Sequence, residues 1–152
     1  MKVLFLNPYP FGIAAGQRLK YEQYLEYFGC NGIEVTNDYF MGKWLYKNRR
    51  SKVFAVIVAL LTIYCSFKRW VTVLWKVRQF DCVYVFMWAT PVGSPILEFI
   101  LRHLSKRLVY DMEDSIDAGS SWIGKSAKSR YLLKVSDANI VSSSFLEKRI
   151  RQ

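Results

Sequence analysis

The chain is poor in the residues that most often announce a chemistry. It has one histidine, His103, and three cysteines, Cys30, Cys65 and Cys82, among 152 residues. The cysteines are widely spaced and form no C-x-x-C or Cys/His pattern, so no cysteine-ligated metal site and no disulfide framework is expected. An odd, scattered set reads as free, mostly buried thiols in a reducing compartment. The lone histidine falls on a helical segment away from any strand end, and no Ser/His/Asp or Cys/His set accompanies it, so triad chemistry finds no support. No internal repeat or low-complexity linker divides the chain, which fits one domain. The apolar run Val3–Leu6 is too short for a signal peptide and runs into Asn-Pro-Tyr-Pro. Acidic residues are missing from one long segment altogether. From Lys43 to Arg78 there are nine Lys and Arg and no Asp or Glu.

What is present is apolar and aromatic. Hydrophobic residues make up 52% and aromatics 16%, enough for a core and too much for disorder. The net charge of +10 calls for an acidic partner. Almost all of that excess sits in 43–78.

Short apolar runs predict strands at Lys2–Asn7, Ile33–Thr36, Asp81–Phe86, Arg107–Asp111 and Asn139–Ser142. Between them, 3.6-residue periodicity predicts helices over Gln17–Phe28, 51–78 (one long helix or two abutting ones), Ser94–Ser105 and Ile123–Val135, with Ser94 as N-cap and Pro95 at the first position of the helix Ser94–Ser105. A last helix, capped by Ser143 or Ser144, has no stop signal, so the polypeptide is expected to continue beyond Gln152. Alternating strands and helices predict a single doubly wound, mostly parallel Rossmann-like sheet with helices on both faces. Ligands of such sheets sit beyond the carboxyl ends of the strands.

Three strand-end loops carry candidate residues. The first, Pro10–Arg18, offers small residues at Gly12 and Gly16 before a helix, and places Arg18 where it opposes the helix dipole. A ligand-gripping loop and a plain tight turn both explain it. The second, after strand four, holds Asp111, Glu113, Asp114 and Asp117. The first three are candidates to bind Mg²⁺, to hydrogen-bond sugar hydroxyls or to act as a catalytic base; the alternative is that Asp114 or Asp117 caps a helix and the others are solvated, and for Asp117 the cap is the better fit. The third carries Trp88, which either stacks on an acceptor or belongs to the core.

The segment 51–78 begins apolar all round and then shows a polar stripe at Thr62, Ser66, Arg69, Thr72 and Lys76. Its uninterrupted uncharged part, Val53–Phe67, falls short of the roughly twenty residues of a spanning helix. A monotopic membrane contact through Lys47, Arg49, Arg50, Lys52, Trp70 and Trp75 is one reading. An ordinary crossover helix with a basic edge is the other. Aliphatic runs between its aromatics argue against nucleic acid.

Five segments taken together resemble the amino-terminal half of family-4-type bacterial glycosyltransferases with the GT-B fold. They are MKVLFLNPYP, GIAAGQRLKYEQYLEYFGCNGIEV, FDCVYVFMWATPVGSPILEFIL, KRLVYDMEDSID and SDANIVSSSFLEKRIRQ. The resemblance spans nearly all of residues 1–152 and implies an acceptor-binding domain, often on the inner face of the cell membrane, working on lipid-linked or cell-surface glycans. It carries over Gly12, Gly16 and Arg18, and Asp111, Glu113 and Asp114, with Glu113 standing where Asp is more usual. It also implies that the nucleotide-sugar belongs to a second, carboxyl-terminal domain, so no cofactor is expected in this chain. The function expected is the acceptor half of a hexosyltransferase, inactive alone. The alternative is a non-enzymatic Rossmann-like subunit that recruits a separate catalytic partner to the membrane.

Overall fold

Five apolar runs become five parallel strands: β1 (Lys2–Asn7), β2 (Glu34–Tyr39), β3 (Cys82–Phe86), β4 (Leu108–Met112) and β5 (Ala138–Val141). They form one sheet in the order β2-β1-β3-β4-β5 in a computed structural model that describes residues 1–91, 94–112, 125–143 and 147–148. The chain is therefore a Rossmann-like α/β domain. Its order places the topological switch between β1 and β3, where a crevice opens beyond the strand ends.

The central strands read as uninterrupted apolar runs because both faces are covered. Leu4, Leu6, Val83, Val85, Leu108 and Tyr110 meet the helices α4 (Ala55–Lys76), α5 (Ile96–Leu104) and α6 (Lys125–Val135) on one face. Val3, Phe5, Tyr84 and Phe86 meet Tyr21, which follows α1 (Ala15–Lys20), and Leu25 and Phe28 of α2 (Leu25–Cys30) on the other.

Several expectations need correction. The single helix expected over Gln17–Phe28 is broken. Tyr21 leaves helical geometry, a 3-10 turn covers Glu22–Tyr24, and Leu19 is exposed. The break turns the Tyr21 ring onto Phe5 and Tyr84 in the core. Ser94 does not cap α5; Pro95 occupies the N-cap position, with no side-chain cap bond. The cysteines are free, but only Cys82 is buried, and Cys30 is exposed at the end of α2. A short helix that sequence periodicity missed, α3 (Lys43–Asn48), buries Leu45 against Phe40, Met41 and Trp88.

The expected long helix forms as α4, 22 residues in one piece. Its orientation is the unusual feature of the fold. Arg69, 1% exposed, points into the domain at the carboxyl ends of β1 and β2. Its Nη2 donates to the backbone carbonyls of Asn7 (3.1 Å) and Asp38 (3.0 Å), and its Nε lies 3.4 Å from the Asp38 carboxylate. Thr72, Val73 and Val77 are buried beside it. Thr62 and Ser66 satisfy their hydroxyls within the helix, on the carbonyls of Val58 and Thr62. Most of the polar stripe thus faces the sheet, and the apolar side chains Val56, Ile57, Leu60, Ile63, Phe67 and Trp75 face outward.

Candidate functional site

The crevice at the switch point is built from the ends of β1, β2 and β3. Beyond Phe86 the backbone turns sharply at Met87, which holds φ 62°, the left-handed region that an unbranched L residue enters at a cost. Three hydrogen bonds pin the turn. The Met87 N–H donates to the Asp111 carbonyl (2.8 Å), Tyr110 Oη donates to the Met87 carbonyl (3.1 Å), and the Trp88 N–H donates to the Phe86 carbonyl (2.7 Å). Strain of this kind, about 1–3 kcal/mol, persists where surrounding structure over-determines it and clusters at functional sites. Here it aims Trp88 across the crevice, edge-on to Phe40 with ring centroids 5.4 Å apart.

The result is a cleft of about 190 Å³. Tyr9, Phe40, Met41 and Leu45 line one side; Met87, Trp88, Thr90 and Pro91 line another. Val58 and Thr62 of α4 close the third, with Arg49 and Arg50 at the exposed rim. Lys128 reaches in from α6, its Nζ donating to the Thr90 carbonyl (3.1 Å) and hydroxyl (2.6 Å) and lying 3.5 Å from Glu98. Burial pushes the Glu98 carboxyl up, opposed by the Lys128 ammonium, and pushes Lys128 down, opposed by Glu98. None of the described lining residues is acidic, and the cleft is cationic at its rim.

The expected site residues scatter. Trp88, Arg49 and Arg50 come together in this cleft although sequence reasoning gave them separate roles. Trp88 is 8% exposed, packed with Phe40, Met41 and Leu45 in the core, and one edge of it lines the cleft. Gly12, Gly16 and Arg18 do not line the cleft. Gly12 holds φ 76°, and its N–H donates to Glu22 Oε2 at 2.9 Å. Gln17 ties the loop further, exchanging bonds with the Tyr9 backbone and donating to Glu22 Oε1. A carboxylate of the chain itself therefore occupies the place that an anion would take in this loop. Arg18 is exposed on α1.

Asp111 sits on the opposite face of the sheet, 1% exposed. Its carboxylate pairs with Lys20 Nζ at 2.6 Å and accepts the Tyr84 hydroxyl. Burial, and then that carboxylate, hold the Tyr84 phenol well above its ordinary pKa. Asp111→Ala would leave the buried Tyr84 hydroxyl without its acceptor. Urea titration is expected to show a loss of roughly 1–3 kcal/mol, where a solvated carboxylate would cost no more than about 0.5 kcal/mol. Glu113, Asp114 and Asp117 lie outside the described residues.

Of the membrane-contact residues, Lys47, Arg49, Arg50 and Lys52 are exposed around α3 and the start of α4, and Trp75 is 69% exposed on α4. Trp70 is half-buried and packs against the core.

No protein-family model and no curated protein matches the chain.

What sequence reasoning missed is the role of Phe40–Leu45 in walling the cleft. The available signal was the apolar pair Met41 and Leu45, four residues apart as on one face of a helix, with Phe40 beside them.

Proposed function

We propose that this domain is the membrane-docked, acceptor-binding half of a glycosyltransferase, and that α4 lays it on the inner face of the cell membrane. The observation that carries the reading is the outward apolar face of α4, bordered by basic residues and sharing a wall with the cleft. Large contiguous apolar surface is rare on a domain meant only for water. The helix is long and apolar enough to cross a membrane by length and composition. Burial of Arg69, Thr72 and Val73 ties its inner side to the sheet instead, which favours lying in the interface over spanning it.

In this reading the cleft receives the acceptor end of a membrane-borne molecule, and the nucleotide-sugar is bound by a second domain. Trp88 and Thr90 orient the acceptor, and Glu113 and Asp114 remain the candidate carboxylates beyond β4. The resemblance to family-4 glycosyltransferases supports the reaction class: hexosyl transfer from a nucleotide-sugar.

Two measurements test it. Lys47→Gln with Lys52→Gln removes two charges that do not line the cleft, each contributing on the order of 1 kcal/mol at an anionic surface. Co-sedimentation with anionic vesicles should weaken about thirtyfold and become less salt-sensitive. Calorimetry of the isolated chain with UDP- and GDP-sugars should show no binding. A micromolar dissociation constant there would overturn its assignment as the acceptor half, and a parent chain that ignores vesicles would remove the membrane.

A further inference from the structure

The cleft has a chemistry of its own, independent of which sugar is transferred. Arg50 is exposed and makes no hydrogen bond or ion pair with any described residue. Arg49 is pre-oriented: its guanidinium lies 3.9 Å over the Tyr46 ring and donates to the Tyr46 carbonyl. Two neighbouring guanidiniums above an apolar, aromatic pocket free of described carboxylates form an anion site in search of an anion. Planar, multi-donor guanidiniums suit the oxygens of phosphate better than a single ammonium does.

We propose that this cleft binds the terminal phosphate of a membrane lipid, with Arg49 and Arg50 as its ligands and the lipid chain leaving along the outward face of α4. The proposal rests on the membrane-docked reading above and names the acceptor class for it. Three features join in it. Val58 and Thr62 line the cleft while Ile57, Leu60 and Ile63, on the same turns of the same helix, are exposed and apolar. A head group in the cleft therefore connects to a chain on the helix without crossing a polar strip. The volume, about 190 Å³, lies below the roughly 300–1,000 Å³ of sites that enclose a drug-sized ligand, so it suits a head group and not a whole nucleotide-sugar. Two arginines each able to engage a pair of oxygens favour a monoester, whose phosphate keeps three terminal oxygens, over a diester, which keeps two.

The preference for a monoester separates this site from general attraction to a negative surface. Co-sedimentation compares phosphatidylcholine vesicles carrying a minor fraction of phosphatidic acid with vesicles matched in charge by phosphatidylglycerol. The parent chain should bind the first at least about tenfold more tightly. Arg49→Gln with Arg50→Gln should bring that ratio to one. Lys47→Gln with Lys52→Gln should weaken both vesicles alike and leave the ratio standing. Both pairs are exposed, and circular dichroism should show them folded. A second arm uses calorimetry without vesicles: octyl phosphate should bind through the same two arginines, with inorganic phosphate at least about tenfold weaker because it lacks the chain.

A ratio near one for the parent, or a ratio that survives the arginine changes, overturns the cleft while membrane docking stands. Inorganic phosphate binding as well as octyl phosphate overturns the lipid as the source. A chain that ignores vesicles but titrates octyl phosphate through Arg49 and Arg50 keeps the cleft and removes the membrane reading. Silence in both arms overturns both.

Discussion

Arg69→Ala is expected to be the most damaging single change outside the apolar core, costing about 3–5 kcal/mol in a urea titration. Arg69 is 1% exposed; its guanidinium hydrogen-bonds two backbone carbonyls and ion-pairs with one carboxylate at the carboxyl ends of β1 and β2. Those groups come from positions 62 and 31 residues away in the chain, so one side chain closes two long loops. Burial pulls the Arg69 pKa down, and the Asp38 carboxylate opposes that pull. Truncation would leave the mostly enclosed Asp38 carboxylate with Lys68 as its one ion-pair partner among the described residues, at 3.8 Å and itself mostly exposed. Total stability for a domain of this kind is about 5–15 kcal/mol, so the change consumes a large part of it. Asp38→Asn offers a gentler check, because it keeps the shape and the carbonyl contact and removes only the charge; about half the effect is expected. An Arg69→Ala protein within about 1 kcal/mol of the parent would mean that α4 is held by its apolar contacts alone.

That clamp also shows where legibility of the sequence ends. The strands were legible because fully buried runs such as Val3–Leu6 and Cys82–Phe86 carry their signal locally. Strand β2 was legible only in part. It lies at the sheet edge, with Glu34, Thr36 and Asp38 interrupting its apolar positions, and it extends to Tyr39 where the pattern suggested Thr36. The length of α4 followed from its composition, but the direction of its polar stripe did not. A stripe with Arg69 at its centre reads as solvent-facing unless a partner is known, and its partners are backbone carbonyls at two strand ends. The cleft was less legible still. Arg49, Arg50 and Trp88 could each be singled out, but their meeting depends on α3 folding Leu45 onto Trp88 and Phe40. Asp111 shows another limit, that of its partners. Its place at a strand end suggested a reactive carboxylate, while its neighbours Lys20 and Tyr84 reach it from α1 and β3.

Replacing Leu60, Ile63 and Phe67 with serine should separate the membrane-facing reading from a structural one by the largest margin. These side chains are 62%, 66% and 68% exposed, and they lie along one side of α4. Exposed positions away from special features change stability by no more than about 0.5 kcal/mol each, so the triple variant should melt within a few degrees of the parent. Its affinity for vesicles should collapse. Full burial of such a side chain is worth about 1.5–3 kcal/mol, and partial immersion in the interface somewhat less. Three of them give on the order of 3–6 kcal/mol, or roughly two to four decades in affinity. The loss should be insensitive to salt, because burial of apolar surface is not screened, whereas the loss from Lys47→Gln with Lys52→Gln should fade as salt rises. Buried positions on the same helix supply the contrast. Val73→Ser, at a residue with no exposure, should cost several kcal/mol of stability. If the triple variant instead lost several kcal/mol, the face would be covered by protein, and a concentration-dependent melting temperature in the parent would identify a second copy of the chain as the cover. If it kept both its stability and its vesicle affinity, the apolar face would have no part in docking, and the basic residues around α3 would have to supply all of it.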